Sequence, residues 1–365
     1  MRAPHKRAAY DNGIPPPPPE RTAALATLNM ADCITTPAAL AAAAHLPPPL
    51  PGYVPAAAAG FPLKVPRSFV ARMAPGDPRD PLLRQVLPTV AELASVPGFG
   101  PDPVGERAAA RSPGLLQKYR GRALLITTAA CAVHCRYCFR RAFPYAEQSA
   151  GTARLRAALA AIARDESLEE IILSGGDPLS LSNTRLTALS NSLSAIAHVR
   201  RLRVHTRTPV VLPSRIDDGF IAWLQGLKLP TVLVLHANHP NEINSEVRAA
   251  CARLRATGVT LLNQSVLLKG VNDEVPALAE LSRRLFAAGV LPYYIHALDP
   301  VSGAAHFAVG DRRARRLLGD LAAQLPGYLV PRLVREIEGA PAKVTLAPRL
   351  SVPRAGSHGT STGGC

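Results

Sequence analysis

The sequence predicts an α/β fold: a partial (β/α)6 barrel with an N-terminal helical and irregular extension and a short C-terminal segment after the last unit. Three observations predict it. From Arg122 onward six apolar, β-like runs alternate with amphipathic helical patterns. The stretches between the runs are long enough for right-handed crossovers between parallel strands. Hydrophobic residues make up 47% of the 365-residue chain and charged residues 19%, which supplies a sizeable core and excludes wholesale disorder.

The six runs are 122–128 (RALLITT), 169–174 (EEIILS), 201–206 (RLRVHT), 231–236 (TVLVLH), 260–266 (TLLNQSV) and 292–297 (PYYIHA). Helical spacing of apolar residues fills 152–164, 183–197, 215–226, 244–257, 276–289 and 311–324. Function in such a barrel gathers at the C-terminal strand ends, so chemistry is sought in the loops after these runs. Ahead of them, residues 1–60 are rich in Pro and Ala, with runs at Pro15–Pro19 and Pro47–Pro49. That region is expected to pack poorly and to be partly disordered, with Met30 a plausible second initiator. Residues 61–121 read as a helical segment packed on the barrel, with a short helix or turn at Leu82–Leu87 and a loop at Pro97–Pro103. The barrel is assigned to 122–325 and the C-terminal segment to 326–347, with a Gly/Ser-rich tail at 348–365 expected to be disordered.

Charge narrows the partners only in part. The chain has 42 Lys+Arg and 26 Asp+Glu, so its net charge is 42 − 26 = +16, which suits nucleic acid, an acidic protein or an anionic cofactor. No apolar stretch reaches the ~18–20 uncharged residues of a membrane span. The basic N-terminus is not followed by an unbroken apolar region, so a cytoplasmic protein is expected. There, six cysteines are better read as ligands or catalysts than as disulfides.

Three of them stand together in Cys131-Ala-Val-His134-Cys135-Arg-Tyr-Cys138, directly after the first run. Soft thiolates at these spacings can reach three corners of a cubane [4Fe-4S] cluster. With no fourth cysteine near, one iron stays open to a non-protein ligand. The alternative is a zinc site with His134 as fourth ligand, although closed zinc sites prefer paired CxxC spacing from two segments. Ser174-Gly175-Gly176-Asp177-Pro178 follows the second run, where two glycines let backbone approach a ligand closely; a plain turn is the alternative. His236 ends the fourth run, where a satisfied structural histidine is the simpler reading. Lys343 follows a Gly/Pro loop, Gly339-Ala-Pro341-Ala, and in isolation would be a solvent lysine.

CxxxCxxC at the end of a first barrel strand resembles the signature of the radical S-adenosylmethionine (radical SAM) enzymes. Residues 61–347 further resemble the lysine 2,3-aminomutases, which also carry pyridoxal 5'-phosphate (PLP). The segments VPRSFVARMAPGDPRDPLLRQVL, PGLLQKY, CRYCFRRAFPYAE and GAAHF are most similar to the bacterial branch that makes β-lysine for elongation factor P. The resemblance implies that Cys131, Cys135 and Cys138 hold the cluster and that its open iron binds S-adenosyl-L-methionine (SAM). Gly175, Gly176 and Asp177 would form the SAM segment, with His236 near the SAM ribose. Lys343 matches the catalytic lysine that forms a Schiff base with PLP. Tyr119 and Arg122 match positions near the PLP, and Gln264 one near substrate and PLP; the bland readings are a sheet-edge pair and a core polar residue. Arg140 matches the arginine that holds the substrate α-carboxylate, and Asp299 and Glu336 the two acids that hold its ε-ammonium.

Those two carboxylates set the substrate class, because a buried ammonium must meet negative charge. The function implied is conversion of free L-lysine to (R)-β-lysine, passed to a ligase that attaches it to elongation factor P. Neither a membrane nor nucleic acid is expected as partner, and a homo-oligomer stays open. Rival readings are another amino-acid 2,3-aminomutase, a radical SAM enzyme modifying RNA, and an iron–sulfur redox sensor. The last would leave Lys343, Arg140, Asp299 and Glu336 without joint purpose. There are departures from the family pattern. The lysine loop reads GAPAK rather than an all-glycine run, and Glu336 replaces an aspartate. Val271-Asn272-Asp273-Glu274 stands where the longer catabolic type has a zinc cysteine, and that type's C-terminal extension is missing, which argues against zinc and a domain-swapped tetramer. Cys33, Cys251 and Cys365 look incidental.

Overall fold

The computed structural model describes residues 32–145 and 152–350. The Pro15–Pro19 run, Met30, Cys365 and the tail beyond residue 350 lie outside them. An antiparallel pair, β1 (Cys33–Ile34) and β2 (Val65–Pro66), precedes a ten-stranded sheet. Its strands are β3 (Ala110–Ser112), β4 (Leu115–Tyr119), β5 (Arg122–Thr128), β6 (Glu170–Gly175), β7 (Arg201–Thr206), β8 (Thr231–Leu235), β9 (Thr260–Val266), β10 (Leu291–His296), β11 (Arg332–Arg335) and β12 (Val344–Thr345). They lie side by side in chain order. From β5 to β11 every pairing is parallel, while β3 and β4 at one edge and β12 at the other run antiparallel to their neighbours.

The six expected runs are β5 to β10, and the six expected helices are Thr152–Arg164, Asn183–Ser194, Asp218–Gln225, Ser245–Ala256, Val275–Ala287 and Asp311–Ala322. Local chemistry sets several starts. Ser182, Asp217 and Asn244 each cap a helix by accepting a backbone N–H from the first turn. One face of the sheet meets the helices in a core that includes Ile171, Leu173, Leu202, Val204, Leu233 and Leu235 against Ile162, Leu186, Phe220, Trp223 and Leu254. Among the described residues no helix is long and apolar enough to cross a membrane.

The structure corrects the sequence reading in three places. The C-terminal segment is not an appendage: β11 extends the parallel series to seven strands, pairing Ile295 with Leu333, and β12 folds back on it. At the other edge Leu115–Tyr119 forms a strand, turned into β5 through Gly121 at φ 76°. The region 32–60 packs well instead of poorly. Pro47–Pro49 lies in it, and Pro37 opens a helix, Pro37–Ala43, in the position where a missing N–H costs nothing. Ile34, Leu40, Ala41, Leu46 and Leu50 join Val65, Phe69, Leu82 and Val86 in a second core, which also buries Ala132 and Val133 of the cysteine loop.

That extension grips the loop with charge as well. Arg136, between Cys135 and Tyr137, is 0% exposed. Its Nε and Nη2 donate to the Glu92 carboxylate at 2.9 and 2.5 Å, and Nη1 and Nη2 donate to the carbonyls of Phe61 and Ala57 at 2.6 and 3.0 Å. Arg141 donates to the same carboxylate at 2.6 Å. The loop backbone is tied by His134 N to Lys64 O and Arg136 N to Gln85 O, both 2.9 Å.

Removing the Glu92 charge strands two guanidiniums, one fully buried. Glu92→Ala is expected to cost about 3–5 kcal/mol, read in a denaturant titration. Gly176→Ala tests the other side of the loop, since a Cβ there would stand 2.3 Å from the Ala130 carbonyl oxygen. It is expected to cost about 1–3 kcal/mol. Gly60→Ala, which meets nothing within 4 Å, should leave the unfolding midpoint in place.

Candidate active site

One cavity of about 640 Å³ is lined by every residue the sequence singled out. Cys131, Cys135 and Cys138 come from the loop after β5, Gly175, Gly176 and Asp177 from the end of β6, and His236 from the residue after β8. Gln264 of β9, Asp299 after β10, and Glu336 and Lys343 on either side of the turn between β11 and β12 complete the circuit with Tyr119, Arg122 and Arg140. Parallel strands, each ending in a loop on the same side, make residues so far apart in sequence neighbours.

At the thiol side, the glycines first serve the protein. A Cβ on Gly175, at φ 118°, would stand 2.6 Å from Thr128 O, and Gly176 has the Ala130 carbonyl against it. Gly176 N donates to Thr128 O at 2.7 Å and Asp177 N to Ala130 O at 2.8 Å. The pair therefore admits the cysteine loop's own backbone, where the sequence suggested approach of a ligand. The Asp177 carboxylate accepts from Leu179 N, Thr206 Oγ1, Arg207 N and Thr208 N at 2.7–3.0 Å, which joins the β6 loop to the end of β7. Its place is that of a scaffold. His236 Nε2 lies 3.2 Å from the Tyr137 hydroxyl, and burial, then Arg207, pushes it down to about 3, so the ring is neutral.

His134 stacks on Phe61, with its Nδ1 2.8 Å from Pro62 O. Among the described residues no three His, Cys, Asp or Glu side chains converge as ligands of a single ion. Three thiols on one loop, with one of them facing a buried guanidinium, are a donor set of the kind that iron–sulfur clusters take. Burial pushes the Cys138 thiol up to about 11 and Cys131 well up, so the thiolates need the positive charge of bound metal. Cys33 also lies beside this loop, its Sγ 3.7 Å from Ala132 O, while Cys251 is buried in the main core.

At the lysine side, Glu336 stands between two ammoniums: Lys343 Nζ at 2.5 Å and Lys118 Nζ at 2.6 Å. Burial opposes its ionisation, but Lys343 and Lys118 together outweigh burial and pull Glu336 down to about 2. Asp299 goes the opposite way, pushed up to about 7 by burial and by the Glu336 charge. Arg140 is fully engaged. Its Nε and Nη2 form a two-pronged pair with Glu106 at 2.7 and 2.6 Å, and Nη1 donates to Ser174 Oγ and Gly175 O at 3.0 and 3.3 Å.

Tyr119 and Arg122 are indeed partners across β4 and β5, with the guanidinium 4.7 Å from the ring centre. Both also face the cavity, and the buried Tyr119 hydroxyl has no hydrogen-bond partner. That orphaned donor, the Lys343 amine and the cations of Arg122 and Arg332 in the cavity lining suit an aldehyde cofactor bearing a phosphate. Sequence reasoning missed Glu106, Lys118 and Arg207. Lys118 was within reach, because it stands next to Tyr119 in the segment PGLLQKY that the sequence had already singled out. Glu106 sits in a loop with no periodicity to announce it.

The chain matches the Radical SAM superfamily over residues 125–281. It is similar to the L-lysine 2,3-aminomutase of Escherichia coli strain K12, 51% identical over 286 residues that cover 78% of this chain and 83% of that protein. The enzyme of the same name in Haemophilus influenzae is 47% identical over 287 residues, 79% of this chain and 85% of the relative. That of Buchnera aphidicola is 44% identical over 284 residues, 78% and 84% of the two chains. Identity this high over most of both chains carries more than the shared cysteine motif: the chain belongs to the lysine 2,3-aminomutase family, isomerases of the radical SAM class.

Proposed function

We propose that the protein converts free L-lysine to (R)-β-lysine with a [4Fe-4S] cluster, SAM and PLP. We infer further that it works in the cytoplasm and passes β-lysine to a ligase that modifies elongation factor P. One observation carries the first reading: the three thiols, Lys343, Arg140, Asp299 and Glu336 all line a single cavity. The relatives named for L-lysine support the substrate. The elongation factor P destination rests on the resemblance of segments such as CRYCFRRAFPYAE and GAAHF to the branch that serves it.

When bound, the cluster and SAM supply a hydrogen-abstracting carbon radical, and PLP supplies a conjugated system for the migrating nitrogen. The chain supplies charge and placement. Glu336, held ionised, accepts the substrate ε-ammonium where Lys118 and Lys343 now stand. Asp299, its carboxyl raised to about 7, gives up its proton as the ε-ammonium arrives. Arg140 offers a planar fork to the α-carboxylate, which must exchange with the Glu106 carboxylate to use both prongs. Tyr119 and Arg122 line the same cavity as Lys343 and are placed to contact the cofactor.

Anaerobically reconstituted protein given lysine, SAM and a reductant is expected to form β-lysine. Lys343→Ala is expected to lose both the product and the visible absorbance of covalently held PLP. Unchanged lysine in cluster-replete wild type would count against the assignment. A second prediction concerns pH. Below about 7 the Asp299 carboxyl is protonated and pairs poorly with an ammonium, so lysine affinity should rise as pH climbs through about 7. Asp299→Asn should flatten that rise, and an unaltered profile in the variant would remove Asp299 from the substrate site.

A further inference from the structure

We propose that Arg207 sets the reduction potential of the cluster held by Cys131, Cys135 and Cys138, with Glu242 as its counterweight. The inference rests on a cluster at the three thiols and on no other part of the proposed function. Arg207 follows β7 directly, and Asp177 fixes its backbone N–H at 2.8 Å. The side chain is buried and bridges two unlike groups. Nη1 donates to Cys135 Sγ at 2.7 Å, while Nη2 donates to Gln85 Oε1 at 2.7 Å and Glu242 Oε2 at 3.0 Å. The guanidinium also lies 5.4 Å from the Phe69 ring centre and 5.5 Å from that of Tyr137.

Glu242 is 0% exposed, and its other oxygen accepts from Asn238 N, His239 N and Gln85 Nε2 at 2.9–3.1 Å. The pair is neutral in sum but polar in direction, with the cation against the ligating sulfur and the anion one guanidinium further away. Adding an electron makes a cluster more negative. A cation donating to a ligand sulfur in a dry surround favours that reduced state, and hydrogen bonds, net charge and exposure are what the protein uses to set such potentials. The same pair helps to hold the loop, and its fixed orientation places that cation on the ligating sulfur. Neither Arg207 nor Glu242 need touch lysine, so the role is one of positioning charge.

The two ends of the pair predict opposite signs. In anaerobically reconstituted protein without lysine, a redox titration followed by EPR of the reduced cluster reads the midpoint potential directly. Arg207→Gln removes the cation and is expected to make the potential more negative. Glu242→Gln removes the opposing charge and keeps the donor, and is expected to make it less negative. Iron and sulfide content should match wild type, and if one variant loses its cluster the sign in the other decides. An unmoved potential in a cluster-replete variant, or shifts of the same sign in both, would overturn the proposal. So would loss of the cluster from both, which would make the network a builder of the site instead. Because no substrate or PLP enters the titration, these outcomes are separate from failure of the lysine reaction.

Discussion

The cysteine loop has no regular structure of its own, and buried charge is what fixes it. Arg136 inside the motif and Arg141 after it both meet Glu92 of the N-terminal extension. From the sheet side Arg207 meets Cys135 and Glu242. Each buried ion carries a large desolvation cost, which carbonyls, amides and neighbouring side chains offset by satisfying most of the remaining donors and acceptors, the Arg207 Nε being left without a partner. The consequence is geometric specificity: a loop so gripped presents its three thiols in one way. The Gly175–Gly176 pair completes the grip, since only glycine leaves room for the loop backbone against the end of β6.

The cavity behind that loop is arranged as internal ion pairs that a zwitterion can replace. Arg140 rests on Glu106, and Glu336 on Lys118 and Lys343. A ligand with a carboxylate at one end and an ammonium at the other finds partners of the right sign already desolvated and oriented, and it exchanges one pairing for another instead of stripping water from bare charges. The net charge of +16 says little about this. The selective charges are a few buried groups, and the arginines of Asp311–Ala322, such as Arg312 and Arg316, lie on its exposed face.

Much of the fold was legible because it rests on local periodicity. The runs at 122–128, 201–206 and 260–266 became strands with the same limits, and 152–164 became a helix with the same limits. What was not legible depended on partners distant in sequence. β11 and β12 are short and take their strand geometry from pairing, β11 with β10 and β12 with β11. Residues 32–60 look like a Pro/Ala tract, yet their small apolar side chains fit against Phe69, Leu82 and the cysteine loop. In the site, the thiols and the glycines announced themselves by spacing and loop composition, and Lys343 only through the family resemblance. Glu106 and the Arg207–Glu242 pair did not, because an ion pair across the fold leaves no mark in either local segment.

The account claims that chemistry begun at the thiol side of the cavity acts on a substrate held at the lysine side. Lysine deuterated at its β-carbon tests that claim most directly, with mass analysis of SAM and 5'-deoxyadenosine after incubation with the reconstituted, reduced enzyme. Deuterium is expected in the 5'-position of the adenosyl group, along with β-lysine as product. Cleavage of SAM to unlabelled 5'-deoxyadenosine while labelled lysine is recovered unchanged would contradict the account, by showing that the two sides of the cavity do not work on the same molecule.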